Sequence, residues 1–307
     1  MIKIPKKKID GVLLFNKPLN ISSNQVLQKI KHLYNAEKAG HTGTLDPMAS
    51  GLLPICFGEA TKFSSFLLDS HKEYIATIKL GIETTTYDSE GDVVAIKPVS
   101  CSLINIENCL LSFTGLINQT PPIYSALKLN GKPLYQYARS GIEVEVKSRQ
   151  IEIAEIELLS FKNEVLTIRV LCSKGTYIRS LAHDIGCKLG CGASLINLVR
   201  TKTSTFKLNP KLNLDHIISL NEPDRLALLL PIDVLVTHLP KINLNDDEFK
   251  LIQNGHSFKR ELIEGYIKCC LFYEEKFLGI AICDGIIIQP IRLLKIEKIR
   301  FLITGIK

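Results

Sequence analysis

The feature that most constrains this 307-residue chain is a period-two alternation of apolar residues. Tyr74, Ala76, Ile78 and Leu80 fall on one face of an extended segment. Residues 151–159 and 164–172 repeat the pattern on either side of Lys162-Asn163. Such alternation marks strands with one buried face, and two runs about a short polar pair mark a hairpin. Residues 11–15 (GVLLF) read as a buried strand ended by Asn16-Lys17-Pro18, and residues 194–206 as another strand. Helical spacing is confined to the gaps between strands. Val26, Leu27, Ile30, Leu33 and Tyr34 follow a Ser22-Ser23 cap, and residues 59–68 and 105–113 look helical, the second with Gly115 as C-cap. A further helix starts at Ser173 or Thr176, carries Ile178, Leu181, Ala182, Ile185 and Leu189 on one face, and ends at Gly190. The strict βαβ rhythm of a doubly wound fold is missing. The pattern predicts an α+β fold with a mixed, mainly antiparallel central sheet and flanking helices. Residues 231–240, bounded by two prolines, mark the expected boundary between domains 1–240 and 241–307. The second, small and β-rich, should hold a helix over 246–253 and strands near 266–273, 277–283 and 286–293.

No segment approaches the ~18 consecutive apolar residues of a membrane-spanning helix, and the apolar run after the charged N-terminus is too short for a signal-peptide core. A cytoplasmic location is the default. Nine cysteines at irregular spacing agree with it: there is no CxxC pair and no Cys/His set at zinc-site spacing, so all nine read as reduced structural thiols. The formal charge of +7 tolerates a nucleic-acid partner without requiring one. Its placement says more. Residues 1–40 hold eight Lys against Asp10 and Glu37, a net of +6. Lys6-Lys7-Lys8 reads first as a solvated, partly disordered tail and second as an anchor for phosphates.

GxxxxGK[ST], GxGxxG, HExxH and GxSxG motifs are all absent, so nucleotide-cofactor and metal chemistry lack support, and no cofactor and no metal are expected. What remains is residues 35–58, rich in glycine and almost without periodicity, which read as one long loop; loops of this length are usually functional. The loop holds His41 and Asp46 among Gly40, Gly43, Gly51 and Gly58. On spacing alone, an Asp before Pro47 is turn chemistry.

Residues 40–54, GHTGTLDPMASGLLP, resemble the catalytic segment of the TruB family, the bacterial tRNA pseudouridine-55 synthases. Other segments agree in order and spacing: GVLLFNKP from Gly11, GEATK from Gly58, KEY from Lys72, PIYSALK from Pro122 and CSKGTYIR from Cys172. The likeness runs from about residue 9 to 206; beyond 240 only position suggests a small PUA-like RNA-binding domain. The resemblance implies a pseudouridine synthase fold and a cofactor-independent isomerase acting on the uridine at position 55 in the T-loop of tRNA. The N1–C1′ bond breaks, the uracil turns over and C5 bonds to C1′. It implies Asp46 as the catalytic carboxylate, paired with Arg179. The target base is stacked in the tRNA elbow and must be flipped out. His41 matches the residue that fills the vacated stack, and Tyr74 the aromatic on the flipped uracil. Tyr177 and Leu198 match the pocket lining, and Lys17 is a phosphate contact or a loop support. Each has a plainer reading as well: a loop His with one hydrogen bond, a core Tyr, a core Leu, and an Arg at a helix start where a cation is mildly unfavourable. The implied partner is the tRNA T-arm, bound by a monomer with no membrane and no nucleotide cofactor. The turn TTTYDSEG from Thr84 resembles the family's TxTxDxxG connection, departing from it at Thr85 and Tyr87.

Overall fold

The computed structural model describes residues 5–260 and 267–295. β1 (Gly11–Lys17) leads to α1 (Ser23–Leu33), where Ser22 and Gln25 form a reciprocal capping box. β2 (Ala39–His41) and β3 (Ala49–Phe57) follow, then a 3₁₀ turn (Gly58–Lys62) and a short α2 (Ser65–Leu68). β4 (Lys72–Leu80) precedes a small hairpin of β5 (Ile82–Thr84) and β6 (Val93–Ile96). α3 (Leu103–Leu111) then feeds β7 (Gly115–Gln119). A projecting segment carries β8 (Lys128–Leu129), β9 (Lys132–Pro133) and α4 (Leu134–Arg139). The hairpin of β10 (Arg149–Lys162) and β11 (Val165–Cys172) leads into α5 (Ile178–Leu189), and β12 (Ala193–Thr203) returns with β13 (Phe206–Lys207). The connection onward carries α6 (Leu214–Ser219), α7 (Glu222–Ala227) and a second 3₁₀ turn (Ile232–Val236).

The main sheet runs β1-β3-β12-β4-β11-β10-β7, with β2 paired to β3 and β13 to β12. Every pair in it is antiparallel except β3 with β12, which run parallel over Ala49–Gly51 and Leu198–Arg200. The sheet is therefore mixed and mainly antiparallel, as the alternation predicts. One face carries Ile78, Leu80, Leu166, Ile168 and Leu195 and packs in a single cluster with Val26 and Ile30 of α1, Ile106 and Leu110 of α3, and Leu181 and Ile185 of α5.

A second, five-stranded sheet is ordered β14-β16-β17-β18-β15: β14 (Lys241–Asn243), β15 (Phe258–Lys259), β16 (Ile267–Tyr273), β17 (Lys276–Cys283) and β18 (Ile287–Leu293), with α8 (Asp246–Gln253) beside it. Its core is shared. Leu278, Ile280 and Phe277 cluster with Val12, Cys56, Ala60, Phe63 and Leu67, on the side of β1 and β3 away from α1. Residues 261–266 and 296–307 of the sequence-defined second domain lie outside the described residues, so the expected strand over 266–273 is described from Ile267.

Several boundaries differ from the sequence reading. Residues 35–58 are not one loop: β2 and β3 occupy twelve of them, and the longest stretch without regular structure is Thr42 to Met48. β3 is nearly buried throughout, so it shows no alternation. Pro54 sits in it where the pairing to β12 has ended and that to β2 has not begun, a place where no ladder N–H is required. Gly115 is not a helix C-cap; Ser112 is, and Gly115 opens β7. The turn after β10 is Asn163-Glu164, both at positive φ, one residue later than Lys162-Asn163. α5 begins at Ile178 with Tyr177 as cap, because the Ser173 hydroxyl is engaged by the Glu152 N–H. Lys7 is no disordered tail residue: its backbone bonds Asn35 and Glu37 and its ammonium pairs with Glu222. All nine cysteines are free, and Cys187 alone among them is exposed.

Candidate active site

The stretch from Thr42 to Met48 crosses the edge of the sheet between β2 and β3, and Asp46 stands on it. One Asp46 carboxylate oxygen lies 2.9 Å from Arg179 Nη2. The carboxylate is 38% exposed while the guanidinium is only 6% exposed, so Asp46 faces an opening with the cation behind it. Arg179 comes from the first turn of α5, where the helix dipole disfavours a cation. Neighbours offset that cost. Its Nη1 lies 3.3 Å from Asp88 Oδ2, and its Nη2 donates to the Tyr124 carbonyl at 3.1 Å. By sequence, Asp88 reads as a turn residue. It is one, since its Oδ1 accepts from the Thr86 hydroxyl and the Glu90 N–H, but it is also the buried second carboxylate on Arg179. Glu90 beside it has its carboxyl raised, by burial first and then by the charges of Asp88 and Asp46.

Asp46 opens onto a cleft of about 390 Å³ lined by Tyr74, Leu198, Tyr177, Arg179, Arg200 and Lys72, among others. A cleft of that size suits one small organic ring system with its sugar. Tyr74 and Leu198 are adjacent by register: β4 pairs with β12 so that Leu198 faces Ala76 and Arg200 faces Tyr74. Tyr74 is both core and lining, 9% exposed, and burial raises its hydroxyl pKa. Tyr177 is pinned at its backbone, because the Gln119 amide donates to its carbonyl at 3.0 Å and accepts from its N–H at 2.8 Å. Arg149 lies over the Tyr177 ring, 4.9 Å from its centroid. The lining thus holds four cations, Lys72, Arg149, Arg179 and Arg200, against Asp46 alone, which suits a polyanionic ligand.

His41 is not among the lining residues. It ends β2 opposite Ile55, with an enclosed Nδ1 that has no hydrogen-bond partner, and burial and the Arg200 charge lower its pKa. Lys17 departs furthest from the phosphate-contact reading. Its side chain is 0% exposed, and the ammonium donates to the carbonyls of Pro18 and Ile21 at 2.9 and 2.7 Å. That geometry is loop support. Burial lowers its pKa to about 8. Arg200 and Lys72 escaped the sequence reading, since each sits in a strand where alternation explained its neighbours and nothing marked its head group. Lys72 donates to the carbonyls of Leu67, Leu68 and Ser70 and so closes the end of α2. No group of three or more His, Cys, Asp or Glu able to hold a metal occurs among the described residues.

The comparisons with known proteins converge on one family. A family model described as the TruB family pseudouridylate synthase N-terminal domain matches residues 31–178, and one for the tRNA pseudouridylate synthase B C-terminal domain matches 179–237. The tRNA pseudouridine synthase B of Chromobacterium violaceum is 51% identical over 94% of this chain and 96% of its own. That of an Azoarcus species is 48% identical over 95% and 97%. Among solved structures, an H/ACA RNP bound to a substrate RNA containing 2'-deoxyuridine is similar with a TM-score of 0.69 at 25% identity, covering 92% of this chain and 84% of that one. A Cbf5-Nop10-Gar1 complex is similar with a TM-score of 0.71 at 26% identity, covering 94% and 86%. The sequence match spans both sheets and includes every residue of the Asp46–Arg179 cleft: the chain belongs to the TruB family of pseudouridylate synthases.

Proposed function

We propose that this chain isomerises the T-loop uridine of tRNA, position 55, to pseudouridine, with Asp46 as the catalytic carboxylate. Isomerisation of a tRNA uridine is the activity of the family. The observation that carries the residue assignment is the Asp46 carboxylate held 2.9 Å from the buried Arg179, at the mouth of a cleft floored by Tyr74 and Leu198. A stacked uridine cannot reach such a cleft, so the nucleotide is flipped out of the T-loop first. The base then lies against Tyr74 and Leu198, with Tyr177 at its edge, and His41, at the end of β2 outside the cleft lining, is the residue assigned to fill the vacated stack. The reaction breaks N1–C1′ and forms C5–C1′; N1 gains a proton and C5 loses one, so the product is an isomer and no cofactor is consumed. Asp46 serves as nucleophile or base while the glycosidic bond opens, and Arg179 holds it in line.

The same reading assigns residues 1–240 to catalysis and 241–307 to a small PUA-like RNA-binding domain. Lys6 and Lys8, exposed beside the salt-bridged Lys7, are then available to the phosphates of the T-arm. The enzyme works as a monomer, and in the cytoplasm, where its nine unpaired thiols would stay reduced. No helix among the described residues is long and apolar enough to cross a membrane.

The test is to map pseudouridine in tRNA treated with the purified protein, and to follow tritium release from uracil C5. Wild type should modify one T-loop position, and Asp46→Asn should release no tritium above background while still binding tRNA. Undiminished turnover by Asp46→Asn would remove Asp46 from the chemistry.

A further inference from the structure

Arg200 is 1% exposed and, among the described residues, has no carboxylate partner. An unpaired buried guanidinium is costly, so its hydrogen bonds must be specific. Nε donates to the Leu52 carbonyl at 2.7 Å and Nη2 to the Gly43 carbonyl at 3.0 Å. These carbonyls bracket the Asp46 stretch, one at its start and one just inside β3. Arg200 also faces Tyr74 across the β4–β12 pairing and Gly51 across the parallel β3–β12 pairing. It therefore stands between the strand bearing the ring and the strand that follows the carboxylate. A second buried group holds the same stretch from the other side. The Ser23 hydroxyl at the start of α1 donates to the Leu45 carbonyl at 2.9 Å and accepts from the Leu45 N–H at 2.8 Å. Asp46 is thus the first residue after a doubly tied backbone.

We propose that Arg200 and Ser23 are positioning residues that together set the Asp46 carboxylate relative to the Tyr74 ring, without touching the reacting atoms themselves. This rests on the assignment of Asp46 to catalysis. Arg200 acts through its planar fork, whose Nε and Nη2 reach two carbonyls from fixed, separate positions; a lysine, with one nitrogen at the end of a flexible stem, cannot hold both in that geometry. Misplacing a reacting group by about 1 Å costs on the order of a hundredfold in rate. Ser23 contributes one anchor of two, so its loss costs less.

The experiment compares Arg200→Lys and Ser23→Ala with wild type by single-turnover kinetics on tRNA, tRNA affinity at several salt concentrations, and amide hydrogen exchange over residues 43–48. Arg200→Lys should lower the single-turnover rate on the order of a hundredfold and Ser23→Ala about tenfold, both with affinity within about threefold and an unchanged salt slope. Exchange at the Leu45 amide should quicken in both. Wild-type turnover and exchange in both variants would overturn the proposal. In Arg200→Gln, which removes the charge, a weakened affinity with a salt slope lower by about one and a normal single-turnover rate would also overturn it, making Arg200 a phosphate contact. If Arg200→Lys fails to fold, Ser23→Ala decides alone. Failure of wild type to form pseudouridine would sink the functional reading instead, and the exchange data would still judge the anchors.

Discussion

At the scale of single residues, the site is built by burying charge and answering it with fixed backbone groups. Lys17 is the plainest case, with an ammonium enclosed by two carbonyls and no exposure. Its pKa falls from 10.5 to about 8 on burial, so between those values the unfolded chain binds a proton that the folded chain does not. Stability therefore rises with pH across that window, and the penalty is fully present below it. From pH 8 to pH 9 the gain is about 1 kcal/mol. Lys72, also lowered to about 8, adds a gain of the same sign. Above pH 9 the buried Cys56, Cys172 and Cys270, each raised to about 12, pull the other way. Denaturant midpoints at pH 8 and 9 should show wild type gaining about 1 kcal/mol on Lys17→Met, which lacks that term. Parallel behaviour of the two proteins would mean that Lys17 keeps its proton in the fold across that window and that burial does not lower its pKa.

At the scale of elements, β3 decides the site and is the element least visible in the sequence. Alternation made β4, β11 and β12 legible because each has one face on the helices. β3 has both faces covered, by α1 and by the second sheet, so its residues run apolar without a period, and Gly51 and Pro54 inside it look like loop punctuation. Gly51 is there for a close approach. Its φ is +103°, and a Cβ would stand 2.4 Å from the Arg200 carbonyl oxygen. Gly51→Ala should cost about 2 kcal/mol or more and lower the melting temperature by several degrees. A melting temperature within a degree of wild type would show that the β3–β12 pairing can open at little cost. The site was legible in the same uneven way. Asp46, Arg179, Tyr74, Tyr177 and Leu198 came from one long motif and its companions, and the cleft brings all five together. The roles of Arg200, Asp88 and Ser23 did not, because they depend on pairings across 22 to 157 residues that no local pattern encodes.

At the scale of the whole molecule, the two sheets share apolar surface behind the site. Phe63 is fully buried and meets Phe277 edge-on at 5.2 Å, in a cluster that continues through Cys56 and Val12. Phe63→Ala should cost about 3–5 kcal/mol. Calorimetry should show one lowered transition for the entire protein, whereas two transitions, the first at the wild-type temperature, would show that the sheets unfold independently. The thiols have a practical consequence at this scale. Eight of the nine are shielded to some degree and Cys187 stands on the surface of α5. Its pKa is raised, by burial and by Glu83 and Asp184, so alkylation needs mildly alkaline buffer. Eight residues separate it from Arg179, about 12 Å along the helix axis. The natural sequence thus carries its own attachment point for a spin label or dye, close enough to register tRNA entering the cleft and requiring no cysteine to be added or removed.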